Sequence, residues 1–223
     1  MSRESVIREI EQRRILLVTR GIYDEELLKL AEALYAGGIR LFEITYDQKD
    51  ANTLEITRRN LQMLKEHFGN KLLLGTGTVL TIEQVRNARD AGAQFIVSPH
   101  FDREIVEETL KLGLVSIPGC LTPTEIVAAD KAGADFIKLF PAGTLGLKYC
   151  KDIYAPLNHL KYLATVGVTE ESFRQYLELG FTGAAVSSLL VDKKLRAEGR
   201  WQELTERACR MVAIAEEFNK RHE

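Results

Sequence analysis

Lys138 sits at the centre of Phe136-Ile137-Lys138-Leu139-Phe140-Pro141, a strand-length apolar run closed by proline. An ammonium group among such neighbours loses hydration, and burial favours its neutral form. A neutral amine attacks carbonyl carbons to give Schiff bases. The segment alone leaves a second reading open, a strand lysine whose head reaches out to solvent. A carboxylate belongs to the same question. In Leu41-Phe42-Glu43-Ile44-Thr45-Tyr46, strand alternation puts Phe42, Ile44 and Tyr46 on one face and Glu43 and Thr45 on the other. The same alternation turns Ile137 and Leu139 one way, and Phe136, Lys138 and Phe140 the other. With both polar positions facing the inside of a barrel, amine and carboxylate converge on one cavity. The lysine can then form an imine with a 2-oxo acid, whose protonated form is an electron sink. The glutamate can move the proton that a retro-aldol cleavage needs, through a bound water if necessary. The competing reading is a buried Glu43–Lys138 ion pair with no catalytic role, although so costly a burial is more readily explained by function.

The elements around these two residues follow one repeated pattern. A polar N-terminal helix to Arg14 precedes the buried-type strand Ile15-Leu16-Leu17-Val18-Thr19. Asp24 opens an amphipathic helix closed by Gly37-Gly38. The strand from Ile39 to Tyr46, a helix ending near His67 and Gly69, and the strand Leu72 to Leu74 come next. Thr81 with Gln84, and Thr122-Pro123-Thr124-Glu125, read as capping boxes, the second with proline at the first helical position. Further strands are expected at Phe95–Pro99, Val115–Pro118, Phe136–Pro141, Tyr162–Thr165 and Ala184–Val186. Helices are expected from about Gly146 to Ala155, from Thr169 to Gly180, and from Trp201 to Phe218. Glycines 69, 92, 113, 133 and 180 each follow a helix and precede a strand. Eight strand–helix units without a linker, with Val/Ile/Leu-rich strands, predict an α/β fold: a (β/α)8 TIM barrel with a short N-terminal helix, residues 1–223 forming one domain. An open doubly wound sheet is disfavoured because no Gly-x-Gly-x-x-Gly turn follows the first strand.

Composition narrows the function classes. The 223 residues are 45% hydrophobic and carry a formal charge of −2 with acids and bases interspersed, which gives no reason to expect nucleic acid or an anionic membrane as partner. No apolar run approaches the ~18 residues of a membrane span, and the polar N-terminus has no apolar signal core. A cytoplasmic protein is expected. The odd number of cysteines (Cys120, Cys150, Cys209) argues against a disulfide framework, and neither they nor the histidines (His67, His100, His159, His222) have metal-ligand spacing, so no metal site and no cofactor are expected.

In barrels of this kind chemistry lies at the C-terminal ends of the strands. Those ends are Arg20-Gly21, Glu43-Ile44-Thr45, Gly77-Thr78, Ser98-Pro99-His100, Pro118-Gly119, Lys138 with Phe140-Pro141, Thr165-Val166-Gly167 and Ser187-Ser188. The ordered set Glu43-Ile44-Thr45, Gly75-Thr76-Gly77-Thr78-Val79, Ile96-Val97-Ser98-Pro99-His100, Ile117-Pro118-Gly119, Thr122-Pro123-Thr124-Glu125 and Ile137-Lys138-Leu139-Phe140-Pro141 resembles the 2-keto-3-deoxy-6-phosphogluconate / 4-hydroxy-2-oxoglutarate aldolase family, in order from Ile15 to about Leu190. No single motif is specific; the ordered set is. The resemblance implies a class I, metal-independent aldolase that releases pyruvate from a 4-hydroxy-2-oxo acid, usually as a homotrimer. It puts the Schiff-base lysine at Lys138 and the acid/base glutamate at Glu43. Substrate contacts fall on Arg20, Thr78 and Thr165, with Thr45, Pro99, Gly167, Ser187 and Ser188 at neighbouring strand ends. Without the family, Arg20 equally suits an ordinary strand-end ion pair, and the threonines a cap or core hydroxyl.

Two departures matter. Asp47 stands where some members carry a carboxylate-binding arginine, which leaves Arg20 for that role. Where the family usually has Thr-Gly-Gly and Gly-Gly-Ser or Gly-Ser around a phosphate, this chain has Thr165-Val166-Gly167 and Val186-Ser187-Ser188. If position 166 needs φ > 0, valine there is strained. Either an anion site persists through the Gly167 amide and the two serines, or the site is reshaped for an unphosphorylated or differently placed group. A metal-assisted lyase and a barrel that has lost catalysis and only binds are the other classes considered.

Overall fold

The computed structural model describes residues 1–222. Helix α1 (Arg3–Arg13) leads into β1 (Ile15–Val18), α2 (Asp24–Ala36), β2 (Leu41–Thr45), α3 (Thr53–Phe68), β3 (Leu73–Gly77), α4 (Ile82–Asp90), β4 (Phe95–Val97) and α5 (Arg103–Lys111). Then come β5 (Val115–Ile117), β6 (Gly119–Cys120), α6 (Pro123–Lys131), β7 (Ile137–Leu139), α7 (Ala142–Tyr154), β8 (Tyr162–Thr165), α8 (Glu170–Leu179), β9 (Gly183–Val186), α9 (Lys193–Ala197) and α10 (Trp201–His222).

The strands form one parallel sheet in the order β5-β4-β3-β2-β1-β9-β8-β7-β6. The nine segments make eight staves, because β5 and β6 are one strand interrupted at Pro118, which has no N–H for the ladder. Its first half bonds β4 and its second half bonds β7. The Phe136 and Lys138 amides donate to the carbonyls of Ser116 (3.2 Å) and Pro118 (3.0 Å), closing the cylinder. The expected α/β barrel is therefore the fold.

Alternation sorts the side chains into two shells. Leu17, Phe42, Ile44, Ile137 and Leu139 pack outward against helical residues such as Leu27, Leu30 and Leu34. Leu16, Val18, Leu41, Phe95, Phe136 and Leu163 fill the interior, joined by Val6 and Ile10 of α1. Helix α1 thus plugs the N-terminal end of the barrel. Arg3 clamps it there through Asp135, with Nε–Oδ2 at 3.1 Å and Nη2–Oδ1 at 2.6 Å.

Local signals carry most helix boundaries. Thr122 and Glu125 form the expected capping box with Pro123 at the first helical position. Thr169 caps α8 and Gly180 ends it at φ +108°. Three details differ from the sequence expectation. Thr81 accepts from the Gln84 amide, but the Gln84 side chain turns to the Leu80 N–H (2.7 Å), so only half a box forms. Helix α7 begins at Ala142, ahead of the expected Gly146, where the chain breaks helical geometry (φ 79°, ψ 170°). The short α9, capped by Asp192, is an additional element. No helix among the described residues is long and apolar enough to cross a membrane.

Candidate active site

Lys138 points into the barrel from β7 and is only 6% exposed. Burial drives its pKa below the ordinary lysine range; the Glu43 charge partly offsets this, and Arg20 adds to the lowering. Its Nζ lies 5.2 Å from the centroid of the Phe140 ring. Glu43, on β2, is fully enclosed. Burial raises its pKa above the usual carboxylate value, while Lys138 and Arg20 pull it back. Among the described residues no ion pair joins the two, and Glu43 Oε2 has no hydrogen-bond partner. This geometry disagrees with both bland readings: the lysine does not reach solvent, and the two charges do not neutralise each other by contact.

The Gly75-Thr76-Gly77-Thr78 motif makes room for this arrangement. A Cβ on Gly77 would lie 1.7 Å from Glu43 Oε1, and one on Gly75 would lie 2.3 Å from the Phe95 ring. Glycine at these two places is a matter of space. Thr78 follows with φ +57°, a rare conformation for a β-branched residue. Its hydroxyl accepts from Arg20 Nη2 (3.1 Å), and its carbonyl accepts from Gln48 Nε2 (2.6 Å). Gln84 Nε2 donates to Gln48 Oε1 (3.0 Å) and so orients that amide. The two glutamines form a strut from the β2 loop to the β3 loop.

Above the lysine opens a cavity of about 560 Å³. Of the residues expected to contact substrate, Arg20, Thr78, Pro99, Thr165, Gly167, Ser187 and Ser188 line it together with Lys138. Thr165 Oγ1 is buried without a partner among the described residues, so a hydroxyl is available there. Glu43 is not among the residues that line it. Thr45 does not reach this cavity: it lines an adjacent one of about 410 Å³ that shares Arg20 and Thr78, and its carbonyl accepts from the Tyr23 hydroxyl (3.2 Å). At 166 the backbone is left-handed (φ +74°), so valine is held in a strained conformation at the rim, followed by Gly167 at φ +64°. The loop rests on the start of α7, where a Cβ on Gly143 would meet the Val166 carbonyl at 2.0 Å.

Sequence reasoning did not single out the apolar wall of Val18, Val168 and Ala185. Alternation along β1 and β9 carries a signal for Val18 and Ala185, inward positions near the strand ends. Nothing local marks Gln48, whose partners lie in another loop.

A closed βα barrel with a buried amine lining an open cavity and a buried carboxylate nearby fits an aldolase of the lysine-imine class. Comparison with known proteins makes this specific. Residues 6–207 match the family model for KDPG and KHG aldolase. The chain is 32% identical over 202 residues to the 2-dehydro-3-deoxy-phosphogluconate aldolase of Treponema pallidum, covering 90% of this chain and 93% of that one. It is 31% identical over 175 residues to the 2-dehydro-3-deoxy-6-phosphogalactonate aldolase of Escherichia coli K12, covering 78% and 82%. The KDPG aldolase structure from Legionella pneumophila, with pyruvate captured as a covalent carbinolamine, superposes with a TM-score of 0.78 at 26% identity, covering 94% of this chain and 97% of that one. The chain belongs to the KDPG/KHG aldolase family and is a lyase, a class I aldolase that reversibly cleaves a 4-hydroxy-2-oxo acid to pyruvate and an aldehyde.

Proposed function

We propose that Lys138 is the imine-forming residue and Glu43 the group that shuttles protons. The observation that carries this is a buried amine lining the cavity, biased toward its neutral form, within electrostatic reach of a buried carboxylate whose Oε2 has no partner among the described residues. Neutral Nζ adds to the C2 carbonyl of the 2-oxo acid, and loss of water from the carbinolamine leaves the protonated imine. The C3–C4 bond then breaks. Its electron pair enters the imine to give an enamine, and the C4 hydroxyl proton passes through a water to Glu43 as the aldehyde leaves. Return of a proton to C3 and hydrolysis of the imine release pyruvate and regenerate the amine.

Arg20, fixed against Thr78, is assigned the substrate carboxylate, for which its planar fork is suited. Thr165, with a free buried hydroxyl, is assigned a hydroxyl or imine-side contact. Pro99, Gly167, Ser187 and Ser188 complete the wall, and Thr45 supports it from the neighbouring cavity. Residues 1–223 act as one domain, with no cofactor. A cytoplasmic homotrimer is the assembly supported by the family resemblance, and sedimentation equilibrium tests it. The substrate class, a 4-hydroxy-2-oxo acid, is supported by the names of the family and of the relatives.

Borohydride in the presence of pyruvate, followed by intact mass and peptide mapping, tests the lysine. The expected result is a stable adduct on Lys138 that Lys138→Ala loses. An adduct elsewhere, or none on folded protein, overturns the assignment.

A further inference from the structure

One stretch of the cavity wall, between β7 and β1, carries no charged side chain. Going round the barrel from β7, its wall is built by Lys138, the β8 loop with Val166, the β9 loop with Ser187 and Ser188, then Arg20 and, past β2, Thr78. Arg20 turns its guanidinium over the β2 loop to the Thr78 hydroxyl, away from β8 and β9. Lys138 is consumed by the imine. Between these two cations, no lining residue of the β8 and β9 loops carries a charge. That part of the wall offers hydroxyls from Thr165, Ser187 and Ser188, and apolar surface from Val166 and Val168.

Val166 marks the character of this side. Its left-handed backbone disfavours a β-branched residue, and the residue is 41% exposed, so core packing does not hold it there. Strain kept at a cavity rim without a packing reason points to a role at the site.

Resting on the aldolase reading above, we infer that the β8–β9 side of the cavity selects substrates whose aldehyde half is short, hydroxylated and uncharged, with Val166 as a specificity-determining residue. With the carboxylate at Arg20 and C2 on Lys138, the carbons from C4 onward meet this remaining wall. A serine hydroxyl satisfies a substrate hydroxyl as donor or acceptor. A phosphate or carboxylate at this wall gains no charged side chain from the β8 and β9 loops and is left to their backbone amides, beside which the Val166 side chain stands at the rim.

The test runs the reaction toward condensation, with pyruvate and one of three acceptors: glyceraldehyde, its 3-phosphate, or glyoxylate. The expected kcat/KM for uncharged glyceraldehyde exceeds that for either anionic aldehyde by about tenfold or more. In a Val166→Gly, Ser187→Gly variant this ratio shifts at least about fivefold toward the phosphate ester, because backbone amides can then close on the anion. A native preference for either anionic aldehyde, or a ratio the double substitution leaves unmoved, overturns the inference. Borohydride trapping with pyruvate alone, on the native protein, keeps the two levels apart. An adduct on Lys138 together with anionic preference defeats only this specificity; no adduct defeats the lysine assignment beneath it.

Discussion

The two ends of the barrel treat their polar groups in opposite ways. At the N-terminal end Asp135 is nearly buried, yet both its oxygens are engaged: Arg3 grips them as a fork and the Ser116 amide donates to Oδ2 at 2.9 Å. Arg14 nearby donates to the Thr182 carbonyl (2.9 Å) and to Asn219 (2.5 Å), with its guanidinium over the Phe218 ring. At the C-terminal end Glu43 and Thr165 keep buried oxygens without partners among the described residues. One end spends its polar groups on holding the fold; the other leaves them unsatisfied so that a ligand can meet them.

The sharpest way to break this contrast is the same substitution at both ends. Gly77→Ala must displace the Glu43 carboxylate, so kcat is expected to fall about 10²–10⁴-fold, as for loss of an acid–base group, with the protein still folded. Gly183→Ala drives a Cβ to 2.0 Å from the Arg14 carbonyl and is expected to lower stability by about 1–3 kcal/mol with kcat intact. Steady-state kinetics beside urea unfolding read both, and equal loss of activity in the two variants would erase the distinction.

Next in size is the paired change Glu43→Gln with Lys138→Met. It removes two buried groups whose ionisation burial disfavours and is expected to stabilise the fold by about 1–4 kcal/mol at pH 7 while abolishing turnover. The sign follows from linkage. A raised carboxyl pKa loses stability as pH climbs from the ordinary 4.5 through the folded value, and a lowered lysine pKa loses it as pH drops from 10.5 through the folded value. Neutral pH lies on the unfavourable side for both, so unfolding curves that show no gain, or a loss, at pH 7 count against unsatisfied charge at this end.

Arg3→Ala strips the partner from Asp135 at the opposite end. About 1–3 kcal/mol of stability should go, less than for a fully buried pair because Arg3 is itself one-third exposed, with kcat/KM unchanged. The smallest effect is a displacement in pH. Adduct formation with pyruvate should rise through a midpoint below 10.5, and the acid limb of kcat should lie above 4.5. Trapping rates against pH that place the amine at or above its ordinary value would contradict the burial argument.

Much of this was legible in the sequence because it rests on short-range rules. Period-two alternation is enough to turn Glu43 and Lys138 inward, and Thr122 with Glu125 specify a helix start within four residues. What escaped depends on contacts between distant segments. Gln84 looks like half of a capping box, but its side chain is drawn to Leu80 and Gln48 by the packing of two loops. Thr45 faces inward by alternation, yet the wall of Arg20 and Thr78 stands between it and the main cavity, which no pattern along β2 encodes. The early start of α7 was hidden by Gly146, whose left-handed φ interrupts the helix where periodicity begins to be readable.

The overlap between Gly77 and Glu43 also constrains how such a site can change over generations. A shorter residue at 43 vacates the space over Gly77, after which a side chain there becomes tolerable; the reverse order must push the carboxylate aside at the first step. Once position 77 has filled, restoring glutamate at 43 no longer restores the site. Loss of this carboxylate therefore opens a path that closes behind it, and a descendant barrel that has taken the second step is more readily recruited to a new activity than returned to the old one.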